Sequence, residues 1–126
     1  MDWTPASGLD GFLVYNTGSS DNNIVPSKFG TFNNTGTNSA IASGDNNKIS
    51  SNCSFIGGGT LNTASSLNSF IGDGENNSTG NANYSSIVGG RSNKVNVGDD
   101  NFIGGGTANT VSGYISSIVG GTLNTA

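Results

Sequence analysis

The stretch of residues 54–68, SFIGGGTLNTASSLN, constrains this chain more than any other feature, because it recurs on both sides of itself nearly in register. Taking the second of each adjacent apolar pair as a marker gives Ile41, Ile56, Ile71, Val88, Ile103 and Val119, at intervals of 15, 15, 17, 15 and 16 residues. An Asn follows each marker, at Asn47, Asn62, Asn77, Asn93, Asn109 and Asn124, at intervals of 15, 15, 16, 16 and 15. Two residues further on stands a small or β-branched residue: Ile49, Ala64, Thr79, Val95, Val111 and Ala126. Markers in phase over this many copies signal a repeat architecture, in which each unit buries its apolar face only by stacking on its neighbours. The unit reads Ser-[Phe/Ile/Ala]-[Ile/Val]-Gly-Gly-Gly-Thr-x-Asn-x-[Ala/Val/Ile/Thr], followed by a polar return.

The unit is a β-rung. Three consecutive glycines disfavour a helix interior by about 3 kcal/mol relative to Ala, and the apolar spacing does not follow the helical period. Rungs in a parallel stack lie about 4.8 Å apart. The glycines supply corners, and the recurring Asn is expected to form an amide ladder along one edge. Where the run reads Val88-Gly89-Gly90 or Val119-Gly120-Gly121, the corner is taken to lose one glycine while the Asn stays fixed. Neighbouring side chains on a strand point to opposite faces. If the Ile/Val markers fill the column, Ala40, Phe55, Phe70, Ile87, Phe102 and Ile118 therefore form a stripe outside it. Such a stripe is too apolar to leave wet, and a parallel homotrimer would bury it, because three columns close a ring and give each chain two neighbours.

Composition agrees with a stacked β-architecture. The chain of 126 residues has 21 Gly, 32% apolar and 10% charged residues, and a net charge of −4, whereas disorder usually brings high net charge or abundant Pro. Lys28, Lys48, Arg91 and Lys94 are too few and too scattered to track phosphates, which argues against nucleic acid. No apolar run approaches the roughly 20 residues needed to cross a bilayer as a helix, and the first residues lack the basic start and apolar stretch of a signal peptide. Cys53 is the sole cysteine and His is absent, which removes an intrachain disulfide, a Cys-based metal cage and the commonest general base.

Residues 1–27 stand outside the repeat as a lead-in or cap. Residues 11–16 read as a short strand, and Ile24-Val25-Pro26 as a second apolar piece whose Pro keeps it off a central strand position. A repeat shaft then covers residues 28–126. A degenerate unit spans about 28–38, with residues 30–36 aligned on 59–65. Full units follow at 39–53, 54–68, 69–85, 86–100, 101–116 and 117–126. The last stops in mid-unit, which predicts that the array continues or that something else is stacked on it.

The Ser-x-Ile-Gly core of the unit, with Ala or Val further on, resembles the head repeats of YadA-like trimeric adhesins, and is similar to the repeats of trimeric viral and phage tail fibres. Gly11-Phe12-Leu13-Val14-Tyr15-Asn16-Thr17 resembles the segment found upstream of such shafts. The resemblance covers residues 11–17 and 39–126 and implies a left-handed parallel β-roll, three chains wide. Most units here carry Phe or Ile where the adhesin unit has Ala, and the Asn series is heavier, which favours a fibre relative over an adhesin head.

No catalytic, cofactor-binding or metal-ligating residue is assigned. Asp73 and Glu75, and Asp99 and Asp100, could form an acid pair or a Ca²⁺ site, but they fall in corner and return segments and read as solvated carboxylates. Gly57-Gly58-Gly59-Thr60 and Gly104-Gly105-Gly106-Thr107 lack the Lys-Ser/Thr and the helix of a phosphate loop. Cys53 reads as a small residue of the return. Glycosylation triplets start at Asn33, Asn52, Asn76, Asn77 and Asn83. A glycan-binding strip could use Asn, Thr and Tyr84 or Tyr114. An ice-binding row would use Thr60, Thr107 and Thr122, interrupted by Glu75 and Ser92. The expected function is a non-enzymatic shaft segment of a trimeric fibre, spike or adhesin on a virion or cell surface, displaying a recognition tip. The alternative is a surface adhesin module that itself binds host glycans. A polysaccharide-cleaving spike comes third.

Overall fold

A computed structural model describes residues 13–15, 24–26 and 33–126 of the chain. The rest of the lead-in, including Phe12, Asn16 and Thr17 of the segment likened to fibre shafts, lies outside the described residues. Among the described residues there are short strands and no helix. One strand per rung, Ala40–Ile41, Phe55–Ile56, Phe70–Ile71, Ser86–Ile87, Phe102–Ile103 and Ser117–Ile118, pairs in parallel with the next. A second parallel sheet stacks Asn33–Asn34, Lys48–Ile49, Thr63–Ala64, Ser78–Asn81, Lys94–Val97 and Thr110–Val111. A third ladder of single parallel bridges joins Asp45, Thr60, Glu75, Arg91, Thr107 and Thr122. The chain is an all-β parallel solenoid with three ladders per turn.

At the start of the stack, β1 (Leu13–Tyr15) pairs antiparallel with β2 (Ile24–Pro26), and β2 pairs in parallel with the Ala40–Ile41 strand. β2 is therefore an inner strand, contrary to the expectation from its proline. The register explains the tolerance: only Ile24 faces Ala40, and Pro26 pairs with Leu13 alone, so no N–H is required of it on the second side. The degenerate unit is also offset by one. Asn33 pairs with Lys48 and Asn34 with Ile49, so Asn33 occupies the column of Thr63, one place beyond the Asn62 alignment.

Two rows of apolar side chains fill the column. One is Ile41, Ile56, Ile71, Ile87, Ile103 and Ile118; the other is Ile49, Ala64, Val95 and Val111, with Thr79 in line. Val88 and Val119 are exposed, which corrects the expected inward series and returns Ile87 and Ile118 from the outer stripe to the core. Ser86 and Ser117 take their places outside, opposite Phe70 and Phe102. The corner has constant length. Counted from the buried Ile, the ladder Asn follows after six residues in all six rungs, and the intervals between buried Ile residues become 15, 15, 16, 16 and 15, matching the Asn series. Val88 fills the place of the first glycine; no glycine has been deleted. The same shift puts Arg91, and not Ser92, in the row of Thr60 and Thr107.

The glycine run resolves into three separate requirements. The last glycine of each corner has positive φ, as in Gly74 at 105°, and a Cβ there would collide with the carbonyl oxygen of Gly90 in the next rung. The first is packed against the next rung, a Cβ at Gly57 colliding with the carbonyl oxygen of Gly72 and meeting the edge of Phe55 at 3.4 Å, although Ala42, Val88 and Val119 hold the same place in other rungs. The middle position is free, with nothing within 4 Å of a Cβ built at Gly105, and Ser43 and Asp73 occupy it elsewhere.

Much of the interior is polar, and hydrogen bonds satisfy its described side chains with the exception of the Thr79 hydroxyl. The ladder residues from Asn47 to Asn109 are buried, each Oδ1 accepting the backbone N–H of the next rung's Asn, as Asn77 N donates to Asn62 at 3.0 Å and Asn93 N to Asn77 at 3.0 Å. The Nδ2 of Asn62 donates to Gly58 O at 3.0 Å and, across the stack, to Gly74 O at 2.8 Å. The ladder thus runs inside the column and not along an edge, which corrects the expectation from the sequence. The left-handed conformation falls on the residue before it, at Asn46, Leu61, Asn76, Ser92, Ala108 and Leu123. A second ladder uses the Ser that opens each unit: Ser54 N donates to Ser39 Oγ at 3.1 Å and Ser69 N to Ser54 Oγ at 3.2 Å. Farther along, Asn101 replaces the Ser and accepts Ser116 N at 2.9 Å. Because burying a polar group is unfavourable unless it is hydrogen-bonded, these ladders admit only a neighbour stacked in register.

Candidate binding surfaces

Two surface features stand out from the regular stack. The first is an apolar face. Phe55, Phe70 and Phe102 point away from the column, each 38–39% exposed, and the rings of Phe55 and Phe70 stack 5.9 Å apart with 12° between planes. The residue two places on also points outward. Phe in the first position always goes with Gly in the second, at 55/57, 70/72 and 102/104, whereas Ser goes with Val, at 86/88 and 117/119. Every rung from residue 54 onward therefore keeps one large apolar group on this face, which the sequence alone disguised as a continuous row of Phe and Ile.

The second feature is a ledge. Between the ladder Asn and the next ladder Ser or Asn lies one more residue in two consecutive rungs, 77–85 and 93–101, than in the others. The extra residues, Asn81 and Val97, pair with each other, and both are exposed. Where the narrower rungs below meet this step, Ser50, Ser65, Asn52, Leu67, Asn81 and Asn83 line an open groove of about 500 Å³. A further ladder runs along its wall: Thr37 N donates to Asn52 Oδ1 at 2.9 Å, Leu67 N to Asn83 Oδ1 at 3.1 Å, and Asn83 N to Asp99 Oδ1 at 2.9 Å.

Asp99 is thus a rung-to-rung acceptor within the stack, and Asp73 accepts its neighbour's amide, Gly74 N, at 2.6 Å. The two acidic pairs lie at different corners, so they do not converge on one point. Among the described residues no three His, Cys, Asp or Glu side chains come close enough to share a metal ion. Cys53 is exposed at a left-handed corner with φ 56°. Tyr84 and Tyr114 are both exposed, but Tyr84 belongs to the left-handed column of Asp100 and Ile115, and Tyr114 to the column beside it, two rungs away. They make no common aromatic platform. The Thr60, Thr107 and Thr122 row is broken by Glu75 and Arg91. Asn77 is buried in the ladder and closed to glycosylation in the folded rung, whereas Asn52 and Asn76 are exposed. The ledge is within reach of the sequence, through the longer Asn-to-Ser spacing, but marking apolar pairs by their second member hides which rungs carry it. Comparison with protein-family models, with curated proteins and with solved structures gave no match to this chain.

Proposed function

We propose that the chain is a non-enzymatic shaft segment of a parallel homotrimeric fibre or spike at a virion or cell surface, holding a recognition tip at a distance. The observation that carries the reading is the exchange on the apolar face between Phe/Gly and Ser/Val pairs. A rung that only had to be soluble could place a polar residue at both outer positions. Instead Val88 and Val119, 48% and 85% exposed, restore apolar surface where Phe is missing. A continuous apolar strip along a slim column is the kind of surface that marks an interface, and a threefold arrangement gives each strip a neighbour while closing the assembly. Sedimentation tests the proposal. The wild-type chain is expected to run as a trimer, and the Phe55→Ser, Phe70→Ser double variant as monomer or as unfolded material. A stable, folded wild-type monomer would overturn it.

A further inference from the structure

The ledge groove carries an inference that stands whether or not the apolar face closes a trimer. We propose that it is a binding site for a neutral oligosaccharide, with Asn52 and Asn83 as paired amide donors and Leu67 as the apolar contact between them. The wall ladder fixes both amides. Asn52 Oδ1 is held by Thr37 N and Asn83 Oδ1 by Leu67 N, while the Nδ2 of each has no partner among the described residues. An amide held through its oxygen keeps its N–H₂ group oriented without further ordering, the condition under which a polar contact contributes most to binding. Asn52, Leu67 and Asn83 occupy successive rungs of one column, so the two donors stand roughly 10 Å apart, twice the strand spacing. That separation spans two sugar residues of an extended linear glycan, so the two donors would meet alternate rings.

The rest of the lining has the same character. Ser50 Oγ donates to Ser65 Oγ at 3.2 Å, leaving the Ser65 hydroxyl hydrogen to a ligand acceptor. Asn81, the inserted residue, is exposed and adds a full amide. No charged side chain lines the groove, so a phosphate, a carboxylated sugar or a cation would find no counter-charge. Donors and acceptors around one half-exposed apolar side chain match a saccharide ring, with hydroxyls at its rim and C–H groups on its face. The local geometry also depends on sequence variation within the array, since only the wider rungs create the step.

The test uses the intact chain, labelled with ¹⁵N, titrated separately with cellotetraose, maltotetraose, mannotetraose and N-acetylated chitotetraose, with a heparin tetrasaccharide as the charged comparator. At least one neutral probe should give saturable amide shifts at Ser65, Leu67, Asn81 and Asn83. The decisive variant is Asn52→Asp. It keeps the oxygen that Thr37 N needs, its column neighbours Thr37 and Leu67 carry no charge, and Asp99 already accepts a backbone amide in the same way farther along the column, so the stack should melt close to wild type. Loss of the amide donor should weaken binding about five- to tenfold. Asn81→Ala, whose side chain makes no hydrogen bond to a described residue, provides a second variant with a similar expected loss. The proposal fails if no neutral probe shifts these amides at millimolar concentration, if the heparin probe binds there as well as they do, or if both variants bind like wild type.

Discussion

The buried Asn ladder gives the sharpest test of what holds the rungs in register. Asn77 makes three bonds: it accepts Asn93 N at 3.0 Å and donates to Asp73 O at 3.2 Å and Gly90 O at 2.9 Å. In Asn77→Ala the Asn93 N–H is left inside the stack without an acceptor, a penalty of about 1–3 kcal/mol. Gly90 O still receives Glu75 N at 3.0 Å, so that loss is nearer a single net bond, about 0.5–1.5 kcal/mol, and Asp73 O loses a similar amount. The expected total is about 2–6 kcal/mol. The neighbour Asn76 is the control, being exposed with φ 56° and only a 3.3 Å bond to Ser92 Oγ. Its replacement by Ala should cost about 1 kcal/mol, for the left-handed backbone. Asn77→Asp separates hydrogen bonding from cavity formation. The two side chains are nearly isosteric, but the carboxylate turns an oxygen toward two carbonyls and is buried unpaired. It should be at least as destabilising as Ala near neutral pH, and its penalty should shrink on acidification, when the protonated form regains a donor. Urea unfolding followed in the far-UV strand band measures all three variants, with an unchanged m-value confirming that the same array unfolds. An Asp variant as stable as wild type, or an Ala variant no worse than Asn76→Ala, would refute the ladder as the register-setting element.

Two further outcomes follow from the corners and the core. Gly74→Ala should fail to fold or melt far below wild type, because a Cβ would collide with Gly90 O on a backbone with φ 105°. Gly105→Ala, built into open space, should stay within about 0.5 kcal/mol of wild type; equal effects at the two sites would contradict the separation of roles in the glycine run. Thr79 carries a buried hydroxyl with no hydrogen-bond partner, in a row with Ala64 and Val95. Thr79→Val should therefore stabilise the array by about 1–2 kcal/mol, read as a raised urea midpoint, and a destabilised variant would show that the hydroxyl has a partner after all.

That this chain is a stack of β-rungs was legible from its residues alone. Each rung's hydrogen bonds go to a copy of itself, so repetition of Ile, Asn and the residue two places beyond is enough to specify in-register parallel stacking, with Ile56 inward and Phe55 outward. The inward choice between Ile87 and Val88 is also legible, from the constant six-residue spacing between the buried Ile and the ladder Asn, but marking apolar pairs by their second member gives the wrong answer there and at Val119. What each glycine is for emerges only in three dimensions, because the Gly72 carbonyl against Gly57 and the Gly90 carbonyl against Gly74 both come from the adjacent rung. The same holds for the Ser39-to-Ser54 and Leu67-to-Asn83 bonds, which join residues 15 and 16 apart. The groove at Asn81 exists because rungs of unequal width are stacked, and a difference in width has no meaning until one rung lies on another.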